Sequence, residues 1–157
     1  MDTDGGKQVL HLHHHLHSFS GTSVESPGMQ DLIDAAQEAR ERAHAPYSHY
    51  LVGAAIRASS GRIYRGCNVE NISYPLSVCA ERNAIAEMVV HGDTEIAEGL
   101  VRTRDGGTPC GGCLQVLLEF SPYPNQVDVH CVGDDGETKS YRLLELIPHG
   151  FHSNDVR

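Results

Sequence analysis

The 157-residue chain predicts an α/β fold, one sheet covered by helices. Three observations carry that expectation. Stretches of helical apolar period alternate with short strand-like runs, which is the pattern of helices packed on a sheet. Gly-containing turn signals stand between neighbouring strand-like runs. The length allows one domain with a proper core and is short for two.

Each element has its own signal. Residues 1–28 are rich in Gly, Ser, Thr and His, end at Pro27-Gly28, and are expected to be a disordered or weakly ordered tail. His11, His13, His14, His15 and His17 offer only a loose metal-binding run. A single domain is expected over residues 29–157. Its first helix spans Asp31 to His44, with Leu32, Ile33, Ala35, Ala36 and Ala39 at helical spacing and Pro46 as its stop. Val52–Arg57 and Arg62–Cys67 read as a hairpin joined by Ser59-Ser60-Gly61. A polar loop, Asn68 to Ser77, leads into a second helix, Ala80–His91, whose apolar face is Ala84, Ile85, Met88 and Val89, with Gly92 as C-cap. Leu100–Arg104 is a third strand. Cys110–Phe120 is a third helix with Val116, Leu117 and Phe120 facing the core. Gln126–Val132 and Thr138–Tyr141 are two more strands around the turn Asp134-Asp135-Gly136, and Leu143–Leu146 is a short last helix before Pro148.

Composition limits the partners. The formal net charge is -9, which repels nucleic acid and points to a free small molecule as substrate. No apolar run approaches the roughly 18–20 residues of a membrane span, so no membrane partner is expected. The acidic start and the histidine-broken apolar residues after it do not form a secretory segment. The five cysteines then read as metal ligands or buried thiols rather than disulfides, and the expected compartment is the cytoplasm.

Chemistry concentrates in two short blocks, Cys79-Ala80-Glu81-Arg82 and Pro109-Cys110-Gly111-Gly112-Cys113. Cys79, Cys110 and Cys113 supply three thiolates. Three protein ligands leave zinc an open fourth position, which is the mark of a catalytic rather than a structural site. Glu81, two residues from a ligand, is placed to move protons to and from a metal-held water. Zinc nucleobase deaminases use this pattern: His or Cys, then Glu two residues on, then P-C-x-x-C.

Both blocks fall at predicted helix starts. Each helix N-terminus contributes roughly half a positive charge, which offsets the excess of three thiolates on a divalent ion. Arg82 is placed to hydrogen-bond the ligand sulfurs and draw off more. Two other readings use the same residues. Cys110-Gly111-Gly112-Cys113 also suits a redox pair, although redox chemistry does not need the block thirty residues upstream. A structural zinc needs a fourth ligand. Cys67 and Cys131 qualify by type but sit among apolar strand neighbours, where buried inert thiols are expected.

Further stretches extend the pattern: Ala45-Pro46-Tyr47-Ser48-His49-Tyr50, Val52-Gly53-Ala54-Ala55, Gly66-Cys67-Asn68-Val69-Glu70-Asn71, Tyr74-Pro75 and Cys79-Ala80-Glu81-Arg82-Asn83-Ala84-Ile85. With Pro109 to Cys113 they resemble, in one order from Met29 to Phe151, the small homotetrameric zinc-dependent cytidine deaminases. The resemblance implies a three-layer α/β/α fold with a mixed five-stranded sheet. It implies Zn2+ on Cys79, Cys110 and Cys113, and Glu81 as proton shuttle during hydrolysis of cytidine and deoxycytidine to uridine and deoxyuridine. By position, Asn68 and Glu70 match residues that hold the ribose hydroxyls, and Tyr50 replaces an aromatic, usually Phe, that packs on the base. Ala80 offers backbone hydrogen bonds to the pyrimidine. Tyr74 and Phe151 match residues that reach an adjacent subunit's site, so a homotetramer with shared active sites is implied.

Two segments depart from the family. Leu114 stands where Arg usually follows the last zinc cysteine, and Val101 to Thr108 carries Arg102, Thr103 and Arg104 in place of an apolar run. These keep two alternatives open. One is a deaminase of a modified pyrimidine nucleoside or of an aminonucleoside such as blasticidin S, against which the Asn68 and Glu70 pair argues. The other is a catalytically impaired zinc-binding relative.

Overall fold

In the computed structural model, which describes residues 28–153, apolar periodicity becomes two cores on opposite faces of one sheet. Strand β1 (Gly53–Ala58) shows how. Successive side chains of a strand point to opposite faces. Ala54, Ile56 and Ala58 therefore join the larger core, while Ala55 joins the smaller. Helix α1 (Met29–Arg40) closes the smaller core with Met29, Leu32 and Ala36. Helices α2 (Ala80–Val90), α3 (Gly111–Glu119) and α4 (Leu143–Leu146) close the larger one. The result is the expected three-layer α/β/α arrangement.

The other strands are β2 (Ile63–Cys67), β3 (Ile96–Arg102), β4 (Asp128–Val132) and β5 (Thr138–Arg142). The sheet order is β2-β1-β3-β4-β5, with β3 and β4 parallel and the other neighbours antiparallel. It is the mixed five-stranded sheet that the resemblance implied.

Two strand glycines set the distance between the sheet and its helices. A Cβ on Gly53 would lie 1.9 Å from the Ala36 carbonyl oxygen, so only glycine lets α1 sit this close to β1. A Cβ on Gly66 would lie 2.4 Å from the Ala84 nitrogen and 2.6 Å from the Ala80 oxygen. Gly66 thus seats the first turn of α2, with Ala80 and Glu81, directly against β2. Asn83 fastens the same contact by donating to the Cys67 carbonyl at 2.8 Å.

Some boundaries and faces differ from the sequence reading. Helix α1 ends at Arg40 rather than His44. The chain leaves it because His44 N–H bonds the Asn68 carbonyl instead of a helical partner, at 3.0 Å. Strand β3 begins at Ile96, four residues before the expected Leu100, because antiparallel pairing with β1 runs from Ala58 to Gly53. Val89 is exposed, since the buried stripe of α2 is Ala80, Glu81, Ala84, Ile85 and Met88. On α3 the buried residues are Cys113, Leu114, Leu117 and Leu118, with Val116 and Phe120 only partly buried. The expected tail, residues 1–28, lies outside the described residues except for Gly28, which stands at the N-cap of α1 with φ 96°.

Candidate active site

Cys79 and Cys110 are the N-cap residues of α2 and α3, so both cysteine blocks do start helices. The three ligand sulfurs of Cys79, Cys110 and Cys113 lie within 4.8 Å of one another. Cys79 Sγ and Cys110 Sγ are 4.0 Å apart. Zinc–sulfur bonds of about 2.3 Å in a tetrahedral site require sulfurs about 3.8 Å apart, so the donor set and its spacing fit zinc. Cys110 Sγ also accepts the Cys113 backbone N–H at 3.4 Å, the turn geometry that brings the two ends of C-x-x-C together.

Glu81 sits on this cluster. Its side chain lies in the first turn of α2, the residue is 5% exposed, and its Oε2 accepts from the Cys113 thiol at 3.3 Å. Burial pushes its carboxyl pKa up from the ordinary value. The Cys79 thiol is pulled down to about 6, chiefly by the hydrogen bond from Cys113, with the Arg82 charge adding to the effect. Cys113 moves the opposite way for the same reason: it holds the shared proton, and burial disfavours its thiolate. Arg82 itself is exposed and acts on Cys79 through its charge. Cys131 is buried in β4, and desolvation pushes its thiol up to about 11, which fits the inert role expected of it. All five cysteines are free.

The cluster opens into a cavity of about 310 Å³ lined by Ser48, Tyr50, Val52, Asn68, Glu70, Cys79, Ala80, Glu81, Val101, Thr103, Thr108 and Cys110. Six of the expected site residues therefore meet in one space with Cys110. Cys113 lies behind them, fully buried. A second hollow of about 370 Å³ shares Ser48 and Glu70 with the first and continues it past Tyr47, Tyr74 and Ser77. It lacks the cysteine cluster and Glu81, which line or adjoin the first, so the metal-binding donor set belongs to the first.

The polar rim is built from loops. The segment Asn68–Glu70 is held extended by His44 on one side and Val78 on the other. Asn68 spans the chain before β1: its amide donates to the Tyr50 carbonyl at 2.8 Å and its Oδ1 accepts Val52 N–H at 2.9 Å. Glu70 Oε1 accepts the N–H groups of Tyr47 and Ser48 at 3.0 and 3.1 Å, and Oε2 accepts the Ser48 hydroxyl at 2.5 Å. These bonds, the Ser48 hydroxyl first, lower the Glu70 pKa and keep it a carboxylate. Asn68 and Glu70 thus present a neutral amide and an anion two residues apart along one wall.

Tyr74 is 70% exposed and meets Tyr47 edge-on at 5.7 Å. Phe151 is 65% exposed and does not line the cavity of its own chain. Gln115 holds it: the amide donates to the Phe151 carbonyl at 2.6 Å and accepts its N–H at 3.2 Å. Leu114, the departure beside Cys113, is buried among Leu117, Leu118 and the β-sheet residues of the larger core. Ser48, Thr103 and Thr108 line the site without having been singled out. Ser48 was visible inside the Tyr47–Tyr50 motif, whereas Thr103 and Thr108 belong to the Val101 to Thr108 segment, which was expected to depart from the family pattern.

Three thiols at two helix starts are a donor set that could hold a metal ion, and a buried carboxylate lies against them. That arrangement, on this sheet, defines a zinc-dependent deaminase fold and site. The model of the cytidine and deoxycytidylate deaminase zinc-binding region matches residues 28–128, and the chain belongs to that family. A probable cytidine deaminase of Dictyostelium discoideum is 39% identical over 132 residues, covering 82% of this chain and 86% of that protein. The cytidine deaminase of Sporosarcina psychrophila is 36% identical over 130 residues, covering 82% of this chain and 94% of that protein. The crystal structure of cytidine deaminase from Burkholderia pseudomallei superposes with a TM-score of 0.73 at 37% identity, covering 78% of this chain and 98% of that one.

Proposed function

We propose that the chain hydrolyses cytidine and deoxycytidine to uridine and deoxyuridine, releasing ammonia. The observation that carries this is the contact of buried Glu81 with the Cys79, Cys110 and Cys113 cluster at the base of a cavity walled by Tyr50, Asn68 and Glu70. Cys79, Cys110 and Cys113 would hold zinc, which would supply the Lewis acidity that brings the pKa of a water toward neutrality. The starts of α2 and α3 and the charge of Arg82 offset the negative charge of the thiolates around it.

The protein's own part is proton transfer and placement. Glu81 accepts a proton from the attacking water and passes it to the ring nitrogen beside C4. It carries the second proton to the exocyclic amine. A C–O bond forms at C4, the C–N bond breaks, and ammonia leaves. A carboxyl raised toward neutral pH by burial suits both halves of this work. Ala80, fully buried at the cavity wall, is placed to offer backbone groups to the pyrimidine. Tyr50 supplies an aromatic surface for the base, and Asn68 and Glu70 supply acceptors and donors for the sugar.

The same reading extends to assembly. Exposed Ile72, Tyr74, Leu76 and Phe151 support a homotetramer whose subunits complete one another's sites. Among the described residues, no helix is long and apolar enough to cross a membrane. The free cysteines support a cytoplasmic location and the net charge a free nucleoside rather than a polynucleotide. The test is a deamination panel on one zinc-loaded preparation: cytidine, deoxycytidine, modified cytidines and blasticidin S. Turnover of the two unmodified nucleosides ahead of the rest is expected. Preferred turnover of blasticidin S or a modified cytidine overturns the substrate assignment.

A further inference from the structure

Within the stretch Val101 to Thr108, the loop after β3 is folded around a carboxylate at the edge of the cavity. Asp105 Oδ1 accepts the Tyr50 hydroxyl at 2.5 Å, the Thr103 hydroxyl at 3.1 Å and Gly107 N–H at 3.3 Å. Tyr50 and Thr103 both line the cavity. Thr103 is buried, and its Oγ1 also accepts Gly106 and Gly107 N–H at 2.8 and 3.2 Å. Gly106, at φ 69°, allows the sharp turn that folds these amides back onto the two side chains. The Arg104 guanidinium lies 5.1 Å from the centre of the Tyr50 ring. The loop is anchored from outside by the pairing of Asp105 with Gly133 and by Asp134 N–H on the Arg104 carbonyl at 3.0 Å.

The Tyr50 hydroxyl makes this network possible. A Phe at that position would leave Asp105 Oδ1 with hydrogen bonds only inside its own loop, from Thr103 and Gly107. Three residues after Asp105, the chain reaches Thr108, which lines the cavity, and then Pro109 and the metal ligand Cys110. Asp105 therefore joins the wall that carries Tyr50 to the loop that delivers Cys110.

We infer that Asp105 is a positioning residue for the substrate, holding Tyr50 as a fixed wall for the base. The inference rests on the nucleoside deaminase reading above. It predicts an effect on substrate capture with the chemistry left intact, because Asp105 touches neither Glu81 nor the sulfurs. Removing one such hydrogen bond should raise KM for cytidine about fivefold in Asp105→Ala, with kcat and zinc content near wild type. Asp105→Asn keeps an Oδ1 acceptor and should recover most of the loss. Tyr50→Phe should also raise KM, and the double variant Tyr50→Phe with Asp105→Ala should fall short of the product of the two single effects, since both remove one bond.

The experiment is steady-state kinetics of wild type and these four variants on cytidine, with zinc analysis and a melting temperature for each. If wild type turns over cytidine and Asp105→Ala matches its KM, the inference is wrong and the function stands. Loss of kcat together with zinc in Asp105→Ala makes Asp105 a part of the fold and also overturns the inference. If zinc-loaded wild type neither binds nor turns over cytidine, the proposed function fails and takes the inference with it.

Discussion

The two halves of the cavity are made in different ways. The metal corner is built from two short blocks at helix starts, pressed into the larger core, with Glu81 and Cys113 buried. The substrate rim is built from loops that meet across long stretches of chain: Ser48 with Glu70, Tyr50 with Asn68, Tyr50 with Asp105. Burial makes the corner a place where charge and protons interact strongly, because water is excluded. The rim is wetter and holds its shape by hydrogen bonds, each worth little alone. Under the proposed function the difference is a division of labour, with reaction chemistry assigned to the corner and selection of the substrate to the rim.

Breaking the corner should have the largest effect. Cys110→Ala removes one of three ligands and is expected to lose zinc, abolish turnover and lower the melting temperature, since metal binding is linked to folding. Zinc analysis and thermal melting check this together. A zinc-replete, active Cys110→Ala protein contradicts the assignment of the ligand set.

Breaking the rim should cost less and depend on the substrate. Glu70→Gln removes the anion from the proposed sugar grip, and KM for cytidine is expected to rise about tenfold. The same variant should be nearly neutral toward 2′,3′-dideoxycytidine, which lacks the 2′ and 3′ hydroxyls that Glu70 is proposed to hold. Equal losses on both substrates reduce Glu70 to a support for the Tyr47-Ser48 turn.

The smallest effect lies in the pH dependence of stability. The Ser48 hydroxyl is the largest cause of the lowered Glu70 pKa. A depressed carboxylate contributes stability that is present above its unfolded value, about 4.3, and is lost as pH falls through the folded value. Ser48→Ala should return Glu70 toward the ordinary value and remove part of that contribution. In melting experiments from pH 7 down to 3, wild type should then lose more stability than Ser48→Ala. Parallel curves contradict the Ser48 and Glu70 coupling.

How far the sequence reveals the molecule follows the same division. Cys79, Glu81, Cys110 and Cys113 are legible because spacing within a block reports helix-start geometry directly. Alternating apolar residues reveal the strands for the same local reason. Helix α1 ends early because of His44, whose partner lies at Asn68, and no local period contains that bond. Asp105 is invisible in sequence, since its partner Tyr50 is 55 residues away. Leu114 looked like a lost charge beside the metal, but helix phase turns it into the core with Leu117 and Leu118. Its neighbour Gln115 takes the polar role instead, gripping the backbone of Phe151.

The central claim is that the corner performs the chemistry through Glu81 while the cysteines alone hold the metal. Glu81→Gln tests it most directly, with zinc content and cytidine turnover measured on the same sample. The account predicts one zinc per chain and turnover reduced at least about a thousandfold, within the range of a lost general acid–base group. Zinc retained with turnover near wild type contradicts it.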